Sequence, residues 1–110
     1  SLPKPKNPLK AIYVIHMPPA RVGLDVCQSG DEVGSQAIFK FIERTQPLLT
    51  LHGHIHESPA RSGRWNAQMG ATWCVQPGQS RGDALSYVLI DLESMKMERF
   101  EEPLAAGRSK

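Results

Sequence analysis

Apolar residues fall along this chain in short runs separated by turns rich in proline and glycine. The first run, Ala11-Ile12-Tyr13-Val14-Ile15, is apolar throughout and rich in β-formers, which predicts a central strand covered on both faces. It leads into His16-Met17-Pro18-Pro19. Proline cannot continue a sheet ladder, so the strand stops there and His16 sits at its C-terminal end. Residues 20–32 read as a loop containing Gly23 and Gly30. Ala37, Ile38, Phe41 and Ile42 then recur with a helical period, predicting a helix over about residues 34–45. Asp31, Glu32 and Ser35 offer acidic and capping side chains at its start, and Pro47 ends it. Leu48-Leu49-Thr50-Leu51 is a second buried strand. Strand, helix and strand make a right-handed βαβ crossover, which implies parallel pairing.

Beyond Glu57 the pattern changes. Four short strands are expected at residues 64–69, 72–75, 85–92 and 96–100, joined as antiparallel hairpins through Gly70-Ala71, Gln76-Pro77-Gly78 and Glu93-Ser94. In the third of them Val88, Ile90 and Leu92 form one apolar face. The expected class is α/β, one βαβ unit followed by antiparallel strands. Residues 1–9 carry three prolines and two lysines and read as an arm or linker, so that the chain is expected to begin within a longer protein. Residues 10–100 form the domain, and residues 101–110 read as a frayed tail.

Composition narrows the picture little. The chain has 110 residues, 40% hydrophobic and 22% charged, enough for one domain with one core. A net charge of +2 does not predict binding to nucleic acid or membranes, and no basic surface interleaved with aromatics supports nucleic acid. The two cysteines, Cys27 and Cys74, are too few for a disulfide scaffold, and Cys74 lies in an apolar run as a reduced core thiol. No signal peptide is expected from residues 1–6, and no apolar run reaches the roughly 20 residues that span a bilayer. A cytoplasmic setting is expected.

The chemistry is concentrated in Leu51-His52-Gly53-His54-Ile55-His56, which holds three of the four histidines. His54 and His56, just past a strand and after a glycine that permits a turn, can project toward one point. Neutral imidazole is the commonest ligand for divalent transition metals, and His16 at the neighbouring strand end makes a third candidate. Solvated or hydrogen-bonded core histidines are the plainer alternative. His52 reads as a structural residue behind the ligands rather than a ligand. Gln76-Pro77-Gly78-Gln79-Ser80 is either a plain turn, with Gly78 at positive φ, or a loop lining the same mouth. Arg61, Arg64 and Arg81 read as solvated, with phosphate contact the alternative.

In order and spacing these segments resemble the calcineurin-like metallophosphoesterase superfamily, in its small prokaryotic form. His16-Met17-Pro18-Pro19 is similar to its His-x-Pro-Pro segment, Gly53-His54-Ile55-His56 to its Gly-His-x-His signature, and Gln76-Pro77-Gly78 with Ser80 to the Asn-Pro-Gly-Ser turn that follows. Gly34 to Ile38 and Gln46 to Leu49 also resemble the small members. The resemblance implies the C-terminal half of an α/β/β/α sandwich with a two-metal site at the strand ends. It implies that His16 and His54 bind one metal and His56 the other, with His52, Gln76, Gly78 and Ser80 behind the ligands or against substrate. It further implies two divalent ions (manganese, iron, zinc or nickel) and a metal-bound hydroxide that attacks phosphorus.

The family's Asp-x-His, Gly-Asp-x-x-Asp and Gly-Asn-His segments do not occur in this chain. They supply the bridging aspartate and the remaining ligands. The expectation is therefore a part of a metal-dependent phosphoester hydrolase, inactive alone and holding at most one ion. A half-sandwich would leave a bare sheet edge and apolar surface. Its partners would be a phosphoester substrate and either the N-terminal half of the same domain or a second copy. The alternative function is a non-catalytic metal-binding or partner-docking module.

Overall fold

The computed structural model describes residues 5–79 and 81–104. A single 3-10 turn, Pro8–Lys10, precedes β1 (Ile12–Val14), α1 (Gln36–Thr45), β2 (Leu49–Leu51), α2 (Ser58–Ser62), β3 (Asn66–Met69), β4 (Thr72–Val75), β5 (Ala84–Ile90) and β6 (Met97–Pro103). The fold is mixed α/β. β1 to β4 form one sheet in the order β1-β2-β4-β3, and β5 and β6 form a separate two-stranded sheet.

The βαβ unit pairs in parallel, Ile12 opposite Leu49 and Val14 opposite Leu51. Helix α1 starts when the Ser35 hydroxyl accepts from the Ile38 amide at 3.1 Å. It ends at Gln46, whose left-handed φ of 51° and amide bond to the Ile42 carbonyl close the last turn just before Pro47. Asp31 and Glu32 take no part in the helix start. They belong to a tight loop in which the Cys27 amide donates to the Asp31 carbonyl and Val26 bridges Glu32.

Three expectations are corrected. First, β3 and β4 do not form a second antiparallel unit with the later strands. β4 pairs in parallel with β2 (Leu49 opposite Trp73, Leu51 opposite Val75), and only β3 runs antiparallel to it. The unforeseen α2 lies between β2 and β3 and supplies a second crossover. Second, β1 is an edge strand rather than a central one. Ile12 is 43% and Val14 80% exposed, because among the described residues nothing pairs with its outer side. Third, strand β6 runs on to Pro103, so the part of the expected tail at 101–103 is sheet, and Leu104 donates to the Asp83 carbonyl. The described part of the arm is also tied down, since the Leu48 amide donates to the Pro8 carbonyl. Residues 1–4, Ser80 and residues 105–110 lie outside the described residues.

The core sits between α1 and one face of the larger sheet. Leu24, Phe41, Ile42, Ala67 and Cys74 are buried together, with Tyr13, Val22, Ile38 and Met69 packed around them. The Tyr13 ring meets Phe41 edge-on with centroids 5.0 Å apart. Cys74 is the buried free thiol that its apolar run predicts, and burial pushes it up from the ordinary thiol range. The opposite sheet face carries Ile12, Val14, Leu49, Leu51, Trp73 and Val75 by strand alternation. It is covered at the β4 end, where Val75 is buried and Asn66 touches Met97 of β6, and bare at the β1 end. The β5–β6 hairpin also leaves apolar groups in water: Leu85, Leu89 and Leu92 are more than half exposed.

Candidate metal centre

Parallel pairing sends β1 and β2 out of the sheet at the same end, and the histidines follow them there. His16 Nε2 and His54 Nδ1 stand 3.1 Å apart, with ring centroids at 5.0 Å and an interplanar angle of 78°. Both residues are exposed. The crossover thus joins positions that are 38 residues apart in the chain.

The turn works differently from the sequence expectation. Gly53 does not take the left-handed conformation; His54 does, with φ of 63°. Such a conformation costs a non-glycine residue of order 1–3 kcal/mol and persists where surroundings over-determine it. Here they do. The Gly53 amide donates to the His16 carbonyl at 2.8 Å, and the Gln76 side-chain amide donates to the Gly53 carbonyl. Gly53 packs against His16, and a Cβ there would make ordinary van der Waals contact with its ring, 3.4 Å from Nδ1.

The Gln76-Pro77-Gly78 turn braces the same loop. Gln76 is 1% exposed, and its Oε1 accepts from the Gly78 amide at 3.2 Å. The Gln79 amide donates to the His56 carbonyl at 2.9 Å. Gly78 has φ of 71°, and a Cβ would fall 2.7 Å from Pro59 and 2.8 Å from the His56 carbonyl, so a side chain has no room there. Ser80 lies outside the described residues.

His56 is exposed and does not join the His16–His54 pair in a larger cluster. Among the described residues no three His, Cys, Asp or Glu side chains gather closely enough to hold a metal. Arg61, Arg64 and Arg81 are exposed; Arg61 donates to the Gln28 carbonyl and Arg81 pairs with Asp83.

His52 points inward, 6% exposed, with Nδ1 at the Ile15 and Met17 carbonyls and Nε2 at the Thr50 hydroxyl. Burial holds its imidazole below the usual histidine range, against the opposing pull of those two carbonyls. The unfolded chain, with its histidine near the ordinary 6.5, therefore binds protons that the native residue refuses. His52 leaves stability undiminished above that pH and lowers it as the pH falls below. Urea titrations from about pH 8 to about pH 5 should show this fall, and a shallower one in His52→Asn, which has no ring to titrate.

Sequence reasoning missed Asp25. It is fully buried in the loop after Pro19, where Oδ2 accepts from the Gly34 amide at 2.7 Å and Oδ1 has no partner. It fastens the loop to the start of α1. An aspartate between two turn glycines reads as solvated, and only the closed loop shows otherwise. Ser58, also fully buried, ties α2 to the same loop by accepting from the Val26 amide at 3.0 Å.

No family model matches the chain, and no curated protein matches it. Among solved structures the chain is similar to the crystal structure of TT1561 of Thermus thermophilus. The identity is 26% and the TM-score 0.54, over 83% of this chain and 34% of that one. A second crystal structure is 18% identical with a TM-score of 0.63, over 83% of this chain and 32% of the other, and shows the fold alone. The chain spans about a third of the length of each. No helix among the described residues is long and apolar enough to cross a membrane. What these comparisons establish is the architecture, a mixed α/β fold.

Proposed function

We propose that this chain supplies the imidazole side of a two-metal phosphoester hydrolase site, with the carboxylates contributed from elsewhere. The observation that carries this reading is the approach of His16 Nε2 to His54 Nδ1, 3.1 Å apart across the ends of two parallel strands. Two nitrogens bound to one tetrahedral zinc at about 2.0–2.1 Å stand roughly 3.3 Å from each other, so the donors suit such an ion with little adjustment. The resemblance of the His-x-Pro-Pro, Gly-His-x-His and Gln-Pro-Gly segments to the calcineurin-like metallophosphoesterases supports the same reading.

His16 and His54 would hold one ion and His56 the second. When bound, the ions supply charge neutralisation at the phosphoryl oxygens and a water made acidic enough to react. The chain's own residues orient. Gln76 anchors the Gly53 carbonyl, and the Gln79 amide fixes His56 from its backbone. A full set of donors requires carboxylates beyond the described residues, which this reading assigns to the N-terminal half of the same domain or to a second copy. A cytoplasmic, reducing setting goes with the free thiols of Cys27 and Cys74.

One observation favours the second reading, a non-catalytic metal-binding or partner-docking module. Val14 and Ile12 expose apolar surface on the edge strand beside the histidines, which suits a docked partner. Calorimetric titration of the chain with zinc and with manganese tests the shared premise. Binding close to one ion per chain is expected, lost in His16→Ala and in His54→Ala. Undiminished binding in both variants would sink the site.

A further inference from the structure

Two consecutive residues at the end of β2 hold three consecutive carbonyls around His16. His52 Nδ1 lies 2.9 Å from the Ile15 carbonyl and 3.1 Å from that of Met17. The Gly53 amide donates to the His16 carbonyl between them at 2.8 Å. Backbone on both sides of His16 is thus gripped by one imidazole edge. Pro18 and Pro19 follow at once and offer no amide protons of their own to shape the bend.

The partners decide the tautomer of His52. A ring nitrogen that faces two carbonyls must carry a proton, because carbonyls only accept. Nε2 is then bare and accepts from the Thr50 hydroxyl at 2.7 Å. Thr50 is fully buried. Both nitrogens of His52 are occupied, and the ring is shut away from the exposed face on which His16 and His54 meet.

We infer that His52 is the positioning residue of the His16–His54 pair: its single Nδ1–H fixes the bend that aims His16 at His54, and the residue is not itself a ligand. The part of this that concerns metal affinity rests on the reading above; the part that concerns the bend does not. A histidine that only fills space would need neither this tautomer nor this edge.

The two conservative replacements separate these roles. Asparagine places its amide nitrogen near the position of Nδ1 and keeps a donor for the carbonyls. Glutamine reaches the position of Nε2 and keeps only the Thr50 side.

Long-range proton–nitrogen correlation spectra of the metal-free chain are expected to show His52 protonated at Nδ1 and bare at Nε2. A proton on Nε2 with Nδ1 bare would overturn the inference. In His52→Asn the ring resonances of His16 should stay near those of the parent, and zinc affinity within a few-fold of it. In His52→Gln the His16 resonances should move, and zinc affinity should fall about 10- to 100-fold, as for other residues that orient a ligand. Unmoved His16 resonances in His52→Gln, or equal losses in both variants, would also overturn it. Failure of the parent chain to take up zinc would defeat the hydrolase reading, while the tautomer and the His16 resonances would still decide the positioning role. Should a variant not fold, the tautomer of the parent chain decides.

Discussion

Replacing His54 with alanine is expected to lower hydrolysis of an aryl phosphodiester by at least about 100-fold, in a protein that joins this chain to the proposed carboxylate-bearing half. Changing a group that merely orients a metal ligand costs about 10- to 100-fold, and removing the ligand itself costs more. His16→Ala should match it, because His16 and His54 are proposed to share one ion and either loss empties the same seat. The double variant should then be little worse than either single one, the non-additivity of residues that act as a unit. Steady-state kcat/KM with manganese present is the measurement. The 110-residue chain by itself is expected to stay near the uncatalysed rate, because no carboxylate joins the histidine pair among the described residues. Robust manganese-dependent turnover by the chain alone, lost in His54→Ala, would show that carboxylates from outside the chain are unnecessary.

The largest expected effect on stability is that of Ile42→Ala. Ile42 is wholly buried between α1 and the sheet, in contact with the cluster of Leu24, Phe41, Ala67 and Cys74. Truncation removes transfer energy and leaves a cavity, together about 2–5 kcal/mol. Small domains have only about 5–15 kcal/mol in all, so the loss is a large fraction of the whole. In a domain of this size each kcal/mol shifts Tm by roughly 4–8 °C, so a fall of about 10 °C or more is expected. Urea denaturation followed by circular dichroism measures it. A change below about 1 kcal/mol would mean that the helix does not pack as described. The contrast is Val14→Thr, on the bare β1 edge at 80% exposure, which should stay within about 0.5 kcal/mol.

Local pattern was enough for much of the fold. The apolar run ending at Pro18 stops β1, the stripe through Phe41 and Ile42 with Ser35 before it makes α1, and the return through Leu49 to Leu51 forces a parallel partner. These are consequences of period, capping and chain reach, all of which act within a few residues. The approach of His16 to His54 was legible for the same reason, since histidines placed just beyond two parallel strands leave the sheet at one end, whereas the separation of His56 from that pair was not.

Other features were decided only by tertiary structure. Strand Thr72–Val75 has the same composition whether it pairs with a hairpin neighbour or with β2, and only the second crossover through α2 settles that it runs parallel to β2. The left-handed turn falls on His54 rather than Gly53 because Gln76, from another strand end, holds the Gly53 carbonyl. Asp25 is buried because the loop after Pro19 folds back on Gly34. His52 and His54 are two residues apart and chemically identical, yet one is sealed under the His16 bend and the other faces water. The sequence determined that this chain has a βαβ unit with histidines at its strand ends. Which nitrogen of which histidine meets which partner depended on contacts between residues more than 30 positions apart, and such contacts leave no local signature in the chain.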